Sequence, residues 1–162
     1  MNVRQAVQAD AAGIARITNA IIRGSLITFT TRERSEGEIA ADIAARGPGF
    51  VVAEANKEVV GFATFGPFRA GPGYAGTVEH SIQLAPEARG HGLGRALMER
   101  LERVARDNEI HVMVAAISGA NPDGIAFHAA MGFVHAGRMP EVGFKAGRWL
   151  DLVLMQKILA KH

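Results

Sequence analysis

The stretch Glu87-Ala88-Arg89-Gly90-His91-Gly92-Leu93-Gly94-Arg95-Ala96 decides how this chain folds. An extended apolar run ends just before it at Leu84, and a helical pattern begins within it near Leu93. Glycines let a backbone turn sharply and approach a ligand closely. The unpaired N–H groups in the first turn of a helix attract anions. We therefore predict a strand, a glycine turn and a helix whose first turn holds a pyrophosphate.

The spacing of the turn separates it from two common phosphate loops. It lacks the Lys-Ser/Thr ending of a Walker loop, and its glycines do not follow G-x-G-x-x-G. They follow R/Q-x-x-G-x-G/A, the coenzyme A pyrophosphate loop, through Arg89, Gly92 and Gly94. Arg89 and Arg95 could add charge-assisted contacts to phosphate oxygens. A plain helix-entry turn without a ligand remains the alternative.

The composition indicates one globular domain over residues 1–162. Of the residues, 48% are hydrophobic and 21% charged, which is enough for a substantial core. The absence of cysteine excludes a disulfide framework, a thiolate metal site and a cysteine nucleophile. The chain opens with no signal peptide and contains no run long enough to span a membrane, so we expect a cytoplasmic protein without membrane contact.

The charge pattern argues against a nucleic-acid partner. The formal net charge is only +2, and basic residues are mixed with acidic ones. Arg100, Glu102, Arg103 and Arg106 have the spacing of a solvated helix face rather than of a stripe that follows phosphates.

Apolar periodicity and turn signals predict the other elements. Asp10 is a plausible helix N-cap, Ser35 with Glu38 forms a capping box, and Asn121 followed by Pro122 is a helix start. We predict strands at residues 2–6, 50–54, 58–65, 77–84, 110–117, 133–137 and 149–156, and helices after Asp10, Ser35, Gly92 and Asn121. This order predicts an α+β fold with a mixed, mostly antiparallel sheet flanked by helices.

Four further segments appear in order along the chain. They are Thr77-Val78-Glu79-His80-Ser81, His111-Val112-Met113-Val114-Ala115, the stretch from Asn121 to Phe133, and Met139-Pro140-Glu141-Val142-Gly143 leading to Gly147-Arg148-Trp149-Leu150-Asp151-Leu152. With the glycine turn, they resemble the GNAT family of N-acetyltransferases, in the phosphinothricin and methionine sulfone/sulfoximine acetyltransferase subgroup. The resemblance implies the GNAT fold, a homodimer, and direct attack of a small amino acid analogue's primary amine on the thioester of acetyl-CoA.

An attacking amine must be neutral, so a base is expected near the reacting carbonyl. Glu79 is the first choice, acting directly or through a water; an arginine-paired structural carboxylate is the alternative. Neighbouring residues on a strand point to opposite faces, so at most one of Glu79 and His80 is expected to face the amine. A structural role for His80 is the alternative to substrate contact.

The resemblance also assigns the coenzyme contacts. Backbone groups of the strand end would hold the pantetheine arm like an added strand and polarise the thioester oxygen. Many GNAT enzymes carry a tyrosine as general acid where this chain has His128, which leaves open whether His128 donates a proton or only contacts the coenzyme. The expected coenzyme-binding residues are Ile82, Gln83, Leu84, Arg89, Gly90, His91, Gly92, Leu93, Gly94, Arg95, Asn121 and His128.

Substrate selection is expected to depend on loops. The resemblance implies substrate contacts at Phe29, Arg69, Ala70, Gly71, Glu79, His80 and Ser81. An arginine fork suits a carboxylate, whereas a solvated Arg69 and a core-filling Phe29 are the alternatives. Trp149 is expected in the core or at a partner subunit. Pro122-Asp123-Gly124 departs from the small polar residues usual after Asn121 and could change the substrate.

Two other functions remain open from the sequence. The chain could acetylate another amine, such as a protein N-terminus or a polyamine, or it could bind acyl-CoA without turnover. No metal is expected in any of these functions.

Overall fold

The computed structural model describes residues 1–159. The seven strands are β1 Asn2–Gln5, β2 Phe50–Ala55, β3 Glu58–Pro67, β4 Thr77–Leu84, β5 Val112–Ser118, β6 Val134–Lys145 and β7 Arg148–Ile158. The four α-helices are α1 Ala11–Gly24, α2 Glu36–Arg46, α3 Leu93–Asp107 and α4 Pro122–Ala130. None of the helices within residues 1–159 is long and apolar enough to cross a membrane.

The strands form one sheet in the order β1-β2-β3-β4-β5-β7-β6. Strands β4 and β5 are parallel, and the other neighbours are antiparallel. Helices α1 and α2 cover the face that carries Phe62 and Thr64, and α3 covers the opposite face, where Leu97 lies over Gly61. The expected mixed, mostly antiparallel sheet between helices is confirmed.

The sheet opens in its middle. Strands β4 and β5 pair from Thr77 opposite Val112 to His80 opposite Ala115. Beyond that point β4 continues beside β3 to Leu84, whereas β5 continues beside β7. The two parallel strands therefore diverge at their carboxyl ends and leave a cleft between them.

Local signals placed most helix ends correctly. The Ser35 hydroxyl accepts the Glu38 N–H at 3.1 Å, and the Glu38 carboxylate accepts the Ser35 N–H at 3.2 Å, so the predicted capping box is present. Asp10 precedes α1 as expected, but its side chain does not cap that helix. It accepts the Val7 N–H at 2.8 Å and binds the Arg4 guanidinium at 2.8 and 2.9 Å. The Arg4 guanidinium thus binds the Asp10 carboxylate in place of the first N–H groups of α1.

The later strands differ from their predicted limits. Strand β5 begins at Val112, two residues late, because the N–H groups of Ile110 and His111 bond to Ala105 and Gly76. Strand β6 runs eight residues beyond the predicted end at Gly137, whereas β7 exceeds its predicted limits by one residue at its start and two at its end. An irregularity between Met139 and Gly143 interrupts their register, which hides the alternation that marks a strand.

Trp149 is not in the core. Its side chain is 64% exposed and lies against Phe144, with ring centroids 4.7 Å apart. The expectation of a core tryptophan is therefore wrong within one chain. Both aromatic residues lie opposite each other near the tip of the β6–β7 hairpin, and both are exposed.

Glu102 corrects the expectation of a solvated face on α3. Its side chain is only 4% exposed, and Lys157 on β7 places Nζ 2.7 Å from Glu102 Oε1. The same ammonium donates to the Met131 carbonyl at the end of α4, at 2.8 Å. The ion pair therefore connects α3, the end of α4 and β7. The apolar periodicity of α3 alone cannot predict this contact, because the partner lies on a distant strand.

Replacement of Lys157 by methionine should destabilise the fold because it leaves the Glu102 carboxylate buried without its nearest cation. We expect a loss of about 3 kcal/mol in the free energy of unfolding, measured by urea denaturation. The control is Arg103→Met, which removes an exposed cation from the same helix as Glu102. Equal urea midpoints for the two variants would show that the buried pair does not stabilise the fold.

Candidate active site

The glycine turn leaves the start of α3 open. Gly90 and Gly92 have φ of +80° and +78°, a region that suits glycine, and no atom lies within 4 Å of a Cβ built on either. Gly92 is the N-cap of α3, and no side chain caps the helix. The first-turn N–H groups of Leu93 and its neighbours therefore have no side-chain cap and suit an anion.

The other residues of the turn divide into two groups. Arg89, His91 and Arg95 are exposed around it, and Arg95 makes only a long contact of 3.8 Å with Glu99. Gly94 is buried instead, and a Cβ there would lie 3.1 Å from the Phe127 ring of α4. The third glycine thus permits the close approach of two helices rather than contact with a ligand.

The cleft between β4 and β5 has a volume of about 140 Å³. It is lined by Ile27, Thr28, His80, Ser81, Ile82, Gln83, Ala115, Ala116, Ile117, Ser118, Asn121 and His128. After His80, the edge of β4 that faces β5 has no partner strand within residues 1–159. An extended amide-containing chain can bond to such an edge as an added strand. The edge leads directly to the glycine turn, so it suits a pantetheine arm joined to a pyrophosphate.

Two histidines meet at one wall of the cleft. His80 and His128 are each 6% exposed, and their Nε2 atoms lie 2.9 Å apart. His80 Nδ1 lies 3.0 Å from the Val114 carbonyl oxygen, and His128 Nδ1 lies 2.7 Å from that of Gly124. Burial, followed by the charge of His128, lowers the pKa of the His80 ring to about 3. Burial also lowers the pKa of His128.

Glu79 lies on the other side of β4. Its neighbour His80 is buried toward α4, whereas Glu79 opens to solvent on the face of Ser81 and Gln83. The predicted division of Glu79 and His80 between two faces is therefore present. Partial desolvation raises the pKa of the Glu79 carboxyl. No ion pair with a described arginine contributes to this shift, so the paired-carboxylate alternative is absent from residues 1–159.

A second cavity of about 150 Å³ lies between this face and helices α1 and α2. Ser81 and Gln83 line both cavities, and the Gln83 Oε1 atom is buried without a hydrogen-bond partner. Arg46 lines the second cavity and donates to the Thr64 hydroxyl at 3.1 Å. The sequence analysis missed Arg46 and Thr64, because a basic residue in a last helical turn and a threonine in a strand are both ordinary.

The loop between α1 and α2 contributes differently from what was expected. Ile27 and Thr28 line the cleft, while Phe29 packs on Gly143 of β6, where a side chain would collide with its ring. Lys145 holds the loop in place by donating from Nζ to the carbonyl and hydroxyl oxygens of Thr28, at 2.9 and 3.1 Å. Phe29 thus supports the wall that Thr28 forms.

The predicted carboxylate-binding loop does not line either cavity. Arg69, Ala70 and Gly71 are exposed and line neither of them. The Arg69 guanidinium lies over the Tyr74 ring, 5.6 Å from its centroid.

The start of α4 joins the site through Asn121. Its Oδ1 accepts the Gly124 N–H at 3.1 Å, which confirms the predicted cap, and the residue also lines the cleft. Ser118, at the end of β5, is a buried cleft residue that the sequence analysis missed. A polar end to an apolar strand was the available signal. Within residues 1–159, no group of three or more His, Asp or Glu side chains could hold a metal ion.

A split sheet whose open strand edge leads to a glycine-rich helix start suits a coenzyme A-dependent acyltransferase. The chain belongs to the acetyltransferase (GNAT) family, whose model matches residues 18–133. The fold, the family and the assignment as an acyltransferase enzyme that uses acetyl-CoA are thereby confirmed.

Relatives of the chain are similar over nearly its whole length. It is 42% identical to the L-amino acid N-acyltransferase MnaT of Escherichia coli, covering 96% of this chain and 92% of the relative. It is 40% identical to the L-methionine sulfoximine/L-methionine sulfone acetyltransferase of Salmonella typhimurium, covering 100% and 96%. A phosphinothricin acetyltransferase from Sinorhizobium meliloti, solved in complex with acetyl-CoA, superposes with a TM-score of 0.92 at 39% identity, covering 98% and 88%.

Proposed function

We propose that this protein transfers the acetyl group of acetyl-CoA to the primary amine of a small amino acid analogue of the methionine sulfone, methionine sulfoximine or phosphinothricin type. The observation that carries the proposal is the unpaired edge of β4, which ends at an uncapped helix start. The named activities of relatives at 40–42% identity support the substrate class.

Residues on and near β4 have different roles in the proposed reaction. The edge from Ile82 to Leu84 binds the pantetheine arm, and one of its N–H groups polarises the thioester oxygen. The glycine turn, with Arg89 and Arg95, binds the pyrophosphate, and Asn121 contacts the pantetheine amides. Glu79 removes a proton from the substrate ammonium, directly or through a water, before the nitrogen attacks. Its raised pKa brings the carboxyl closer to the basicity that this transfer needs.

Substrate recognition is proposed for the loops around Glu79. Arg69 would bind the carboxylate with Ala70 and Gly71, while Ser81 and Phe29 shape the amine side. Arg69 is exposed and carries no ion pair among the described residues, so its guanidinium is available to an anion.

This role predicts that Arg69→Gln raises the KM of an amino acid substrate but leaves the KM of the corresponding decarboxylated amine unchanged.

The first experiment is coenzyme A release from acetyl-CoA over an amine panel. It contains phosphinothricin, methionine sulfone, methionine sulfoximine, spermidine, a peptide N-terminus, and methionine sulfone without its carboxylate. We expect saturable release with the first three amines and little with the others, because the site selects a carboxylate next to the amine. Coenzyme A release with spermidine or the peptide, but not with the amino acid analogues, would mean that the substrate is a polyamine or a protein N-terminus. Acetyl-CoA binding without release from any amine would favour a non-catalytic binding protein.

Replacement of Glu79 by glutamine should slow kcat/KM by about 10²-fold near neutral pH, a typical loss for a general base. The defect should shrink at high pH, where the free amine is already neutral. In the unchanged protein, activity should fall as pH drops through the raised pKa of Glu79, because protonation removes the base. Glu58→Gln, an exposed change at the start of β3, is the control. A defect equally large at high pH would contradict the general-base role.

We further propose a homodimer in the cytoplasm. The exposed apolar side chains Met139, Val142, Phe144 and Trp149 cluster in the β6–β7 hairpin, as a partner surface requires. The double change Phe144→Ser with Trp149→Ser should convert a dimer into a monomer in sedimentation experiments, with Tyr74→Ser as an exposed aromatic control. A monomeric unchanged protein at micromolar concentration would contradict the dimer.

A further inference from the structure

Arg46, in the last turn of α2, is a cation without an anion beside it. Its side chain is half-buried and lines the second cavity, where it donates to the Thr64 hydroxyl at 3.1 Å. Asp42 lies one turn earlier on the same helix but bonds to Arg34 instead, at 3.0 Å. Within residues 1–159, Arg46 forms no ion pair. A guanidinium has five N–H donors, so these contacts leave most of the donors of Arg46 for a ligand.

Gly66 determines where the guanidinium lies. A Cβ built on Gly66 would be 3.0 Å from Arg46 Nη2 and 3.2 Å from its Cζ, so the guanidinium rests against the bare backbone of β3. In the pairing of β3 with β4, Gly66 lies opposite Glu79. Directly opposed residues of antiparallel strands project to the same face of a sheet. The guanidinium and the Glu79 carboxylate are therefore neighbours on one face, without an ion pair between them.

The second cavity suits a small group that is apolar on one side and polar on the other. Arg46 supplies the charge, and the apolar wall is formed by the buried side chains of Ile14, Ile39, Phe50 and Phe62. The cavity volume of about 150 Å³ is large enough to hold benzene. Methylsulfonyl, methylsulfoximine and methylphosphinate groups have fewer non-hydrogen atoms than benzene, and each carries a methyl group beside oxygen. The cavity therefore matches the side groups of the proposed substrates in size and polarity.

Gln83 indicates that a polar group belongs here. Its Oε1 atom is buried without a hydrogen-bond partner among the described residues. A buried acceptor that lacks a donor costs free energy. Gln83 and Ser81 line both the second cavity and the cleft between β4 and β5, so the two spaces share this part of β4. A substrate held in the second cavity would therefore lie next to the position proposed for the thioester.

We infer that Arg46 selects the substrate by binding the oxygen atoms of its sulfonyl, sulfoximine or phosphinate side group. This inference rests on the proposed acetyl transfer. The amine would lie at Glu79, with the side-group oxygens on the guanidinium and the methyl group against the apolar wall. Neighbouring strands are about 4.8 Å apart, which is within reach of the short carbon chain between the amine and the side group. Arg46 is thus a specificity-determining residue that takes no part in the bond changes.

The charge of the side group determines the expected order of the effects. Charge-assisted hydrogen bonds are stronger than those to neutral oxygens. Phosphinothricin carries an anionic phosphinate, methionine sulfone carries neutral oxygens, and methionine has a thioether without oxygen. Arg46 should therefore contribute most to the binding of phosphinothricin, less to that of methionine sulfone and least to that of methionine. Arg69, which is proposed to bind the carboxylate, should contribute equally to all three.

The variant Arg46→Met tests the assignment, with KM and kcat measured for these three amino acids. The replacement keeps an unbranched side chain and removes the charge. We expect the KM for phosphinothricin to rise by roughly 10- to 10²-fold and the KM for methionine sulfone by roughly 2- to 10-fold. The ratio of the two kcat/KM values should thus shift by about tenfold toward the sulfone. Arg16→Met, which removes an exposed cation from α1, is the control.

The variant Gly66→Ala moves the guanidinium without removing its charge. The added methyl group would meet Arg46 Nη2 at 3.0 Å, and the free end of an arginine side chain can shift away. Gly66 does not have a positive φ, so its backbone accepts alanine. We expect the same selective loss of phosphinothricin, at a smaller size. If Arg46→Met does not fold, this variant still tests the position of the guanidinium.

The outcomes separate this inference from the proposed function. Equal losses with phosphinothricin and methionine sulfone would mean that Arg46 binds the carboxylate, and no loss with either would mean that it does not bind the substrate. Either result overturns the inference while the acetyl transfer stands. Absence of coenzyme A release over the whole amine panel contradicts the proposed function instead.

A binding measurement then decides the role of Arg46 without turnover. Calorimetry compares phosphinothricin binding to the unchanged protein and to Arg46→Met, each loaded with coenzyme A. Weaker binding to the variant than to the unchanged protein and to Arg16→Met supports the inference. Equal affinity for the variant and the unchanged protein, or no binding to the unchanged protein, overturns it.

Discussion

Strand β5 pairs with β4 on one edge and with β7 on the other, and the different lengths of these two pairings create the cleft. It pairs with β7 along its full length, from Val112 to Ser118, but with β4 only as far as Ala115. The β4 backbone beyond His80 is therefore left with one free edge. Open strand edges are usually covered or blocked in proteins, and an edge inside a cleft is available to an extended ligand. The cleft, the glycine turn and the start of α4 all lie around this edge.

Strand β4 also separates two titratable side chains. Alternation along β4 turns Glu79 toward solvent on one face and buries His80 against His128 on the other. Partial desolvation raises the pKa of the carboxyl, which favours a base, whereas burial lowers the pKa of the histidines, which favours their neutral form. In the proposed reaction, the base Glu79 and the histidine wall of the cleft therefore lie on opposite faces of β4. Two neighbours in sequence thus lie in separate environments.

The wall of the cleft also depends on the hairpin at the far edge of the sheet. The Lys145 ammonium donates a hydrogen bond to the Thr28 carbonyl, and the Phe29 ring packs on Gly143, where a side chain would collide with it. The same hairpin carries the exposed Phe144 and Trp149. In the proposed dimer, association would therefore act on the strand that supports the loop beside the active site. Contact between subunits and the shape of the substrate pocket would be linked through a single element.

Local sequence determined whatever depends on chemistry within a few residues. The capping box at Ser35, the Asn121 cap and the left-handed glycines at 90 and 92 could all be predicted, because each requires a particular residue type at a fixed spacing. Alternation along β4 likewise predicted the separation of Glu79 from His80. The order of elements predicted the fold class, and the resemblance of the ordered motifs to the GNAT family predicted the family.

Tertiary structure alone decided the long-range contacts. Helical periodicity placed Glu102 in solvent, but Lys157 meets it from a strand that lies 55 positions away, a separation beyond any local pattern. Asp10 met Arg4 instead of its helix, and the register irregularity near Gly143 concealed a long hairpin. The sequence presented His80 and His128 as two separate candidates. Only the packing of α4 against β4 brings their Nε2 atoms to 2.9 Å, because the two residues lie 48 positions apart and no local pattern contains that distance.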